Sequence, residues 1–128
     1  MAHFAQIEYN KVVQVLVVGN ADINDLPFPD SEAVGISFLN SLIPGKEWKQ
    51  TSYNNNFRFK YAGIGDEFHA ECGTHGGFAS PPEFEYFIFD TNSCTWIPPI
   101  PYPTDGNDYY WSDVERNWIK VPTLTVVG

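Results

Sequence analysis

The sequence predicts an α+β domain that is rich in β-structure, with antiparallel hairpins, one short helix and a proline-rich extended strap. Apolar and polar residues alternate with a period near two in several short stretches, which is the period of a β-strand. Turn-forming residues separate these stretches, and a single segment has the spacing of a helical face. A chain of 128 residues has the length of one domain.

The first two predicted strands form a hairpin. Residues 3–8 and 11–18 are alternating or rich in β-branched side chains, and Tyr9 with Asn10 forms the polar turn between them. The second strand is almost continuously apolar, which is typical of a strand that is covered on both faces. We therefore expect it to lie centrally in a sheet.

One helix is predicted from about residue 30 to residue 43. Asp30 or Ser31 can cap its first turn, and Pro44 follows its end. Gly35 lies inside it, at a cost of about 1 kcal/mol relative to alanine. The apolar side chains that recur at the spacing of one helical face are Val34, Phe38, Leu39 and Leu42.

The middle of the chain is predicted to be the unit against which the rest packs. Residues 48–53 and 57–62 alternate with the strand period, and the three asparagines at 54–56 tolerate turn conformations between them. We assign the aromatic side chains of this unit to the structural centre. They are Trp48, Tyr53, Phe57 and Tyr61.

The second half of the chain is predicted to contain two more hairpins on either side of a strap. The predicted order is a strand at 67–71, a loop at 72–82, a hairpin of 84–90 with 94–97, the strap at 98–103, and a hairpin of 109–111 with 117–121. Because four of the six strap residues are proline, the strap is extended and must lie at a sheet edge or on another chain. We divide the chain into a β-rich body at 1–97 and a strap with its hairpin at 98–128, within the same domain.

The last two hairpins share a sequence plan. An aromatic residue leads into a polar turn, and a Trp-Ile pair follows, first at Trp96 and Ile97 and again at Trp118 and Ile119. We weigh a duplicated module equally against the ordinary likeness of any two hairpins.

Charge and composition exclude several classes of partner. Sixteen acidic against seven basic side chains leave a formal charge of −9, whereas nucleic-acid binding requires clustered lysine and arginine. No stretch approaches the ~20 apolar residues of a membrane span. The first residues lack the charged and apolar regions of a secretory signal, so we expect the protein to be made and folded in a cytoplasm. In that compartment Cys72 and Cys94 are expected to be free thiols.

The candidates for metal binding and catalysis are few. His69, Cys72, His75 and Cys94 carry the ligand types of a zinc site, but their spacing matches no known zinc pattern. Cys72 with either histidine is also a possible nucleophile and base, although no third residue is available to orient them. We therefore expect no metal, no cofactor and no catalytic residue.

Three acidic features are interpreted as structural. The stretches 22–25 and 105–108 bring several oxygens together, but neither follows the ligand order of a known calcium loop, so both are predicted to be turns. Asp66 and Glu67 are adjacent on a predicted strand and point to opposite faces, which prevents them from acting as a pair on one substrate.

An aromatic and proline-rich set in the second half is the candidate partner-binding surface. With 16% aromatic residues the chain has more rings than a minimal core needs, and such rings are enriched at interfaces. The residues that we assign to partner binding are Trp96, Pro99, Pro101, Tyr102, Tyr109 and Trp111. The same rings, with Tyr110 and Trp118, are also suited to stacking on sugars, or to packing within a core and between subunits.

Three blocks of sequence carry a resemblance to a known family. They are AHFAQI at 2–7 with the valine-rich 12–18, WKQTSYNNNFR at 48–58 with YAGIG at 61–65, and CTW at 94–96 with PYP at 101–103 and DG at 105–106. On these blocks, which span nearly the whole chain, the sequence resembles short proteins encoded by tailed phages of cyanobacteria and other marine bacteria. The resemblance implies a phage origin and a virion structural role, and it supplies no catalytic residues. The segment 69–75 departs from the family pattern.

The function that we expect is that of a non-enzymatic virion protein. The first hypothesis is a capsid decoration or cement protein that binds the major capsid protein lattice and is oligomeric in the assembly. The alternative is a tail- or fibre-associated module that binds carbohydrate or a receptor, and a third hypothesis is a small metallo-enzyme using His69, Cys72 and His75. The expected location is the virion.

Overall fold

A computed structural model describes all 128 residues and confirms the β-rich α+β fold with antiparallel pairing and one helix. The elements are β1 (Ala2–Glu8), β2 (Lys11–Val18), α1 (Asp30–Leu42), β3 (Glu47–Thr51), β4 (Glu67–His69), β5 (Gly77–Ala79), β6 (Ile88–Asp90), β7 (Thr95–Ile97), β8 (Tyr109–Ser112) and β9 (Asn117–Lys120). The first five strands form one sheet in the order β3-β1-β2-β4-β5. β6 pairs with β7, and β8 pairs with β9, as separate two-stranded hairpins.

The first hairpin has the predicted strands and turn. Tyr9 and Asn10 both adopt left-handed conformations, with φ of 50° and 65°, as a two-residue turn between twisted strands requires. β2 is central in the sheet order, as predicted, but the expectation that it is covered on both faces is wrong, since Val13 and Val17 are exposed. The doubly covered strand is β1, because α1 packs near one face of it and residues 62–78 contribute side chains to the other.

The helix agrees with the prediction in its bounds but not in its cap. No side chain caps the first turn, and Ser31 instead is buried and donates a hydrogen bond from its hydroxyl to Gln50 Oε1 at 2.7 Å. Gly35 faces Phe4, and a Cβ atom placed on Gly35 would lie 2.1 Å from Phe4 Cζ. The buried helical face is therefore formed by Ser31, Gly35 and Leu39, while Leu42 is 64% exposed.

The predicted central unit is only half correct. β3 forms at 47–51 with Trp48 buried, but it is an edge strand, and residues 57–62 form no strand. Arg58 and Phe59 have left-handed φ values of 58° and 70°, which turn the Arg58 side chain inward. The assignment of Tyr53 to the structural centre is wrong, because this side chain is 64% exposed.

The inward Arg58 side chain explains the irregular backbone around it. Its guanidinium forms an ion pair with Glu32 of α1 and donates to the carbonyl oxygen of Gln50 at 2.9 Å. Its Nε also donates to the carbonyl oxygen of His75 at 2.9 Å. A buried guanidinium needs all its donors satisfied, and one side chain thereby joins the helix, β3 and the loop before β5.

The sequence analysis missed β5, which is one of the two outer strands of the sheet. β5 lies inside the segment that we predicted to be a loop, and it pairs with β4 through Phe68 opposite Phe78. β4 is also shorter than predicted, and residues 84–87 form a turn rather than the start of a strand, with Phe87 N donating to Phe84 O at 3.2 Å. Short strands of three residues carry too little alternation to be recognised from the sequence.

The two small hairpins have the same construction, in agreement with the shared sequence plan. Each has a four-residue turn whose last residue is left-handed, Cys94 with φ of 56° and Arg116 with φ of 53°. In β6 and β7 the rings of Phe89 and Trp96 meet edge to face at 5.2 Å. In β8 and β9 the rings of Trp111 and Trp118 do so at 5.4 Å.

Candidate interaction surface

The strap lies on its own chain, against the last hairpin. Trp118 Nε1 donates to the carbonyl oxygen of Ile100 at 2.8 Å, and Tyr109 N donates to Tyr102 Oη at 3.0 Å. The rings of Tyr102 and Trp118 also meet edge to face, with centroids 4.9 Å apart. The expectation that the strap lies at a sheet edge or on another chain is wrong, because it enters no sheet and packs on its own chain. These contacts hold it as an extended segment of defined position.

The structure divides the six predicted partner-binding residues into three groups. Pro99, Pro101 and Tyr102 are exposed, and Tyr102 keeps 48% of its surface in solvent. Trp96 and Tyr109 are half-buried. The expectation that Trp111 is an exposed ring is wrong. It is 8% exposed because it packs between two other rings, Phe87 at 5.6 Å and Trp118 at 5.4 Å.

Exposed aliphatic side chains extend this surface, and the sequence analysis did not assign them. Ile88 and Ile97 lie directly opposite each other in β6 and β7 and are 52% and 37% exposed. Ile100 of the strap is 39% exposed. With Tyr102 they form what we call the apolar strip, defined as Ile88, Ile97, Ile100 and Tyr102. For Ile88 and Ile97, the alternation with the half-buried neighbours Phe89 and Trp96 was the available signal.

A cleft of about 280 Å³ lies beside the second hairpin. Three of its walls are the rings of Phe59, Phe87 and Trp96. Its polar lining comes from Lys60, Ser80, Glu83, Ser93 and Thr95. Trp96 Nε1 is buried and has no hydrogen-bond partner. No sequence motif indicates this cleft, because its lining comes from three segments that are distant along the chain.

The cysteines and histidines do not form the zinc cluster that was considered. Cys72 and Cys94 are buried free thiols, but the His69 ring stacks on Phe89 at 4.0 Å and the His75 ring contacts Phe28 at 5.0 Å. No group of three His, Cys, Asp or Glu side chains is close enough to hold a metal ion.

Cys94, which was considered only as a zinc ligand, is a buried and unreactive thiol. Burial raises the pKa of the Cys94 thiol to about 12, and the hydrogen-bonded thiol of Cys72 adds to the shift. Its Sγ lies 3.7 Å from the carbonyl oxygen of Phe78, which it approaches as a donor. A thiol with so high a pKa is almost entirely protonated at neutral pH, whereas nucleophilic attack requires the thiolate.

Neither acidic stretch forms a calcium loop: 22–25 covers the end of a short 3-10 helix (Asn20–Ile23) and a turn, and 105–108 begins with a bend whose Asp105 carboxylate is engaged within the chain. Asp105 accepts hydrogen bonds from Tyr109 Oη at 2.6 Å and from Asn107 N at 2.9 Å, and the Tyr109 hydroxyl is the main cause of the lowered pKa of Asp105. At the earlier stretch, Asp25 N donates to Asn20 O at 2.9 Å. Asp66 is buried, and its carboxylate pairs with Lys60 at 2.6 Å.

Comparisons with known proteins assign no class to this chain. No protein family, no curated protein and no solved structure is detectably similar to it. The resemblance to short phage proteins therefore stays a prediction. Within the structure, no helix combines the length and the apolar character needed to cross a membrane.

Proposed function

We propose that this protein is a non-enzymatic structural component of a phage particle that binds the outer surface of the major capsid protein lattice. The observation that carries the proposal is the apolar strip, which places four large side chains in solvent on a hairpin and strap of defined geometry. Ile88 lies opposite Ile97 in the hairpin, and Ile100 and Tyr102 follow Ile97 within five residues along the chain. Groups of large exposed apolar side chains are typical of a protein-binding surface.

The strap favours binding because it is already ordered. Its prolines restrict the backbone, and the hydrogen bond from Trp118 to Ile100 and the Tyr102 ring contacts hold it against the last hairpin. A segment that is fixed before binding loses little conformational entropy when it docks. Ile100 and Tyr102 can therefore act as anchors without a large ordering cost.

The charges around the strip specify the partner surface. Residues 83–128 carry seven acidic and two basic side chains, so this part of the protein is strongly acidic. A complementary partner has an apolar patch surrounded by basic side chains. On a capsid lattice such patches recur at every subunit, and many copies of a decoration protein can bind side by side.

The experiment measures occupancy on purified particles of the phage that encodes the chain. The copy number per particle, determined by quantitative mass spectrometry, should match the number of equivalent capsid lattice sites. Purified Ile97→Asp protein, added to particles that lack this component, should bind far fewer copies than the wild type. Val114→Asp is the matched control, because Val114 is 91% exposed and lies outside the strip.

A copy number of only a few per particle, or equal binding of the two variants, would contradict the proposal. Wild-type thermal unfolding of the Ile97→Asp protein must be verified, since Ile97 pairs with Ile88 in the hairpin.

The cleft favours a second candidate function, which is carbohydrate recognition by a tail or fibre module. Its aromatic walls and hydroxyl-bearing rim match the chemistry of a sugar, whose flat faces stack on rings and whose hydroxyls need short polar partners. Binding of host glycans by the wild type, measured calorimetrically and lost in Trp96→Ala, would favour this function over capsid decoration. The absence of heat with any glycan of the host surface would exclude it.

A further inference from the structure

One edge of the five-stranded sheet carries a long stretch of unpaired backbone. β2 pairs with β1 along its whole length, but on its other side β4 pairs only with Lys11. The backbone bonds on that side end at Val12, which exchanges hydrogen bonds of 2.8 Å with Gly65 and Asp66. Between residues 13 and 18, every second residue directs its N–H and C=O to this side, and no backbone hydrogen bond is formed there. An edge of this kind can template another strand.

The two outer strands of the same sheet are each hydrogen-bonded on their outer side to other parts of the chain. On β3, Gln50 N donates to Glu32 Oε2 at 2.7 Å and Gln50 O accepts from Arg58 at 2.9 Å. On β5, Phe78 N donates to the carbonyl oxygen of Arg58 at 3.1 Å. The side of β2 beyond Val12 is thus the long open edge of this sheet.

Beyond a bulge at Val13, the open edge lacks the features that protect edge strands from pairing. Residues 12–18 contain no charged side chain and no proline, and Val13 and Val17 are 37% and 54% exposed. The pairing of β1 with β2 is irregular at Val13, where one extra residue is inserted, but it is regular from Gln14 to Val18. Monomeric proteins usually place a lysine, a proline or a bulge along such an edge.

The same chain contains an extended segment that has no strand partner. Residues 121–128 form no regular structure, although their threonines and valines favour β-strands. Leu124, Val126 and Val127 are each at least 90% exposed. The start of the segment is held in place, because Val121 N donates to Asp108 O at 2.8 Å.

We propose that residues 123–127 of one copy add as an antiparallel or parallel strand to the open β2 edge of a second copy. The two segments match in length, five residues at 123–127 against five at 14–18. Neither carries a charge in a molecule of net charge −9, so they are surfaces through which two acidic copies can meet without repulsion. Each copy holds both segments, and reciprocal exchange doubles the contact in a dimer.

The proposal concerns copies of this chain and does not rest on capsid binding. The first measurement is the mass of the full chain in solution, by light scattering across a concentration series, with hydrogen exchange recorded at the same concentrations. The wild type should associate as concentration rises, and the amides of 123–127 and of 14–18 should become protected together. A wild type that stays monomeric at every concentration overturns the proposal, whether its 123–127 amides are unprotected or are protected within one chain.

A matched pair of valines supplies the control variants. Val126→Asp adds a charge to the donated segment, and Val114→Asp adds the same charge at a turn residue of equal exposure, 91% against 90%. Association should be lost in Val126→Asp and in a variant that ends at Pro122, and it should be unchanged in Val114→Asp. Association that survives both changes to the segment would show that other surfaces join the copies.

The edge itself is tested by cross-linking. Protein with Val17→Cys, mixed with protein carrying Val126→Cys, should form a mixed disulfide under mild oxidation, and a mixture with Val114→Cys should not. The natural thiols of Cys72 and Cys94 are buried and do not compete while the protein is folded. Equal cross-linking of the two mixtures would contradict the placement of the segment on β2.

Discussion

Replacing Gly35 with alanine separates two opposing effects in one helix. Helix propensity alone predicts that Gly35→Ala raises the free energy of unfolding by about 1 kcal/mol. The packing predicts the reverse, because the new Cβ would lie 2.1 Å from Cζ of the fully buried Phe4 ring, and its three nearest atoms all belong to that ring. Neither group can turn away without moving α1 or β1.

Overpacking a core usually costs about 1–3 kcal/mol, and so close an overlap belongs to the upper part of that range. After the gain of about 1 kcal/mol in propensity is subtracted, the expected result is a net destabilisation of about 1–2 kcal/mol. The measurement is urea denaturation followed by tryptophan fluorescence. Ser37→Gly and Ser37→Ala, at an exposed position of the same helix, provide the control, since their difference gives the propensity term without the clash. In the Gly35→Ala background Phe4→Leu should be less harmful than in the wild type, because the shorter side chain removes the clash. A stabilised Gly35→Ala protein would refute the packing of α1 on Phe4.

Three other perturbations have results that follow from single side chains. Trp48 is 2% exposed in the main cluster, so Trp48→Ala should lower the free energy of unfolding by roughly 3–5 kcal/mol. Trp48→Phe should lower it by clearly less, because Trp48 Nε1 has no hydrogen-bond partner to lose. Equal losses of unfolding free energy for the two variants in denaturation curves would contradict this. Because burial raises the pKa of Cys94 to about 12, native protein at pH 8 should react with iodoacetamide far more slowly than protein in guanidinium, as peptide mass spectrometry would show. Burial and then the nearby amino terminus lower the pKa of His3 below its usual 6.5, so the unfolded chain binds the proton first. The stability from His3 is therefore complete above pH 6.5 and falls as the pH is lowered below it; His3→Asn should remove this part of the slope in a pH series of unfolding curves.

The hairpins and the helix were predictable because their signals are local. The turn at Tyr9 and Asn10, the proline strap and the repeated Trp-Ile hairpins are each encoded within a few consecutive residues. The same local reasoning failed for residues 57–62, where alternation predicted a strand. Arg58 instead forms an ion pair with Glu32, which lies 26 residues earlier in the sequence. This pair requires the backbone to turn the Arg58 side chain inward, and the strand therefore does not form.

The candidate surface was predicted in part. The exposed Pro99, Pro101 and Tyr102 were identified from the strap, but Trp111 was assigned to the surface and is buried. An aromatic residue on a short strand has the same local pattern whether its ring meets solvent or another ring. The burial of Trp111 depends on its contact with Phe87, which lies in a different segment. The alternation of residues within the hairpin cannot indicate such a contact.

The sequence by itself determined the fold class, the hairpins, the helix, the extended strap and the acidic charge. Turn chemistry and proline geometry depend on a few neighbouring residues, and the charge depends on composition alone. Only the tertiary structure decided which rings are exposed, how Arg58 joins three elements, where the cleft lies and which edge of the sheet stays open. These features depend on contacts between residues that are distant along the chain. Many alternative pairings of the same segments satisfy the local patterns, and it is packing and the pairing of buried polar groups that select one of them.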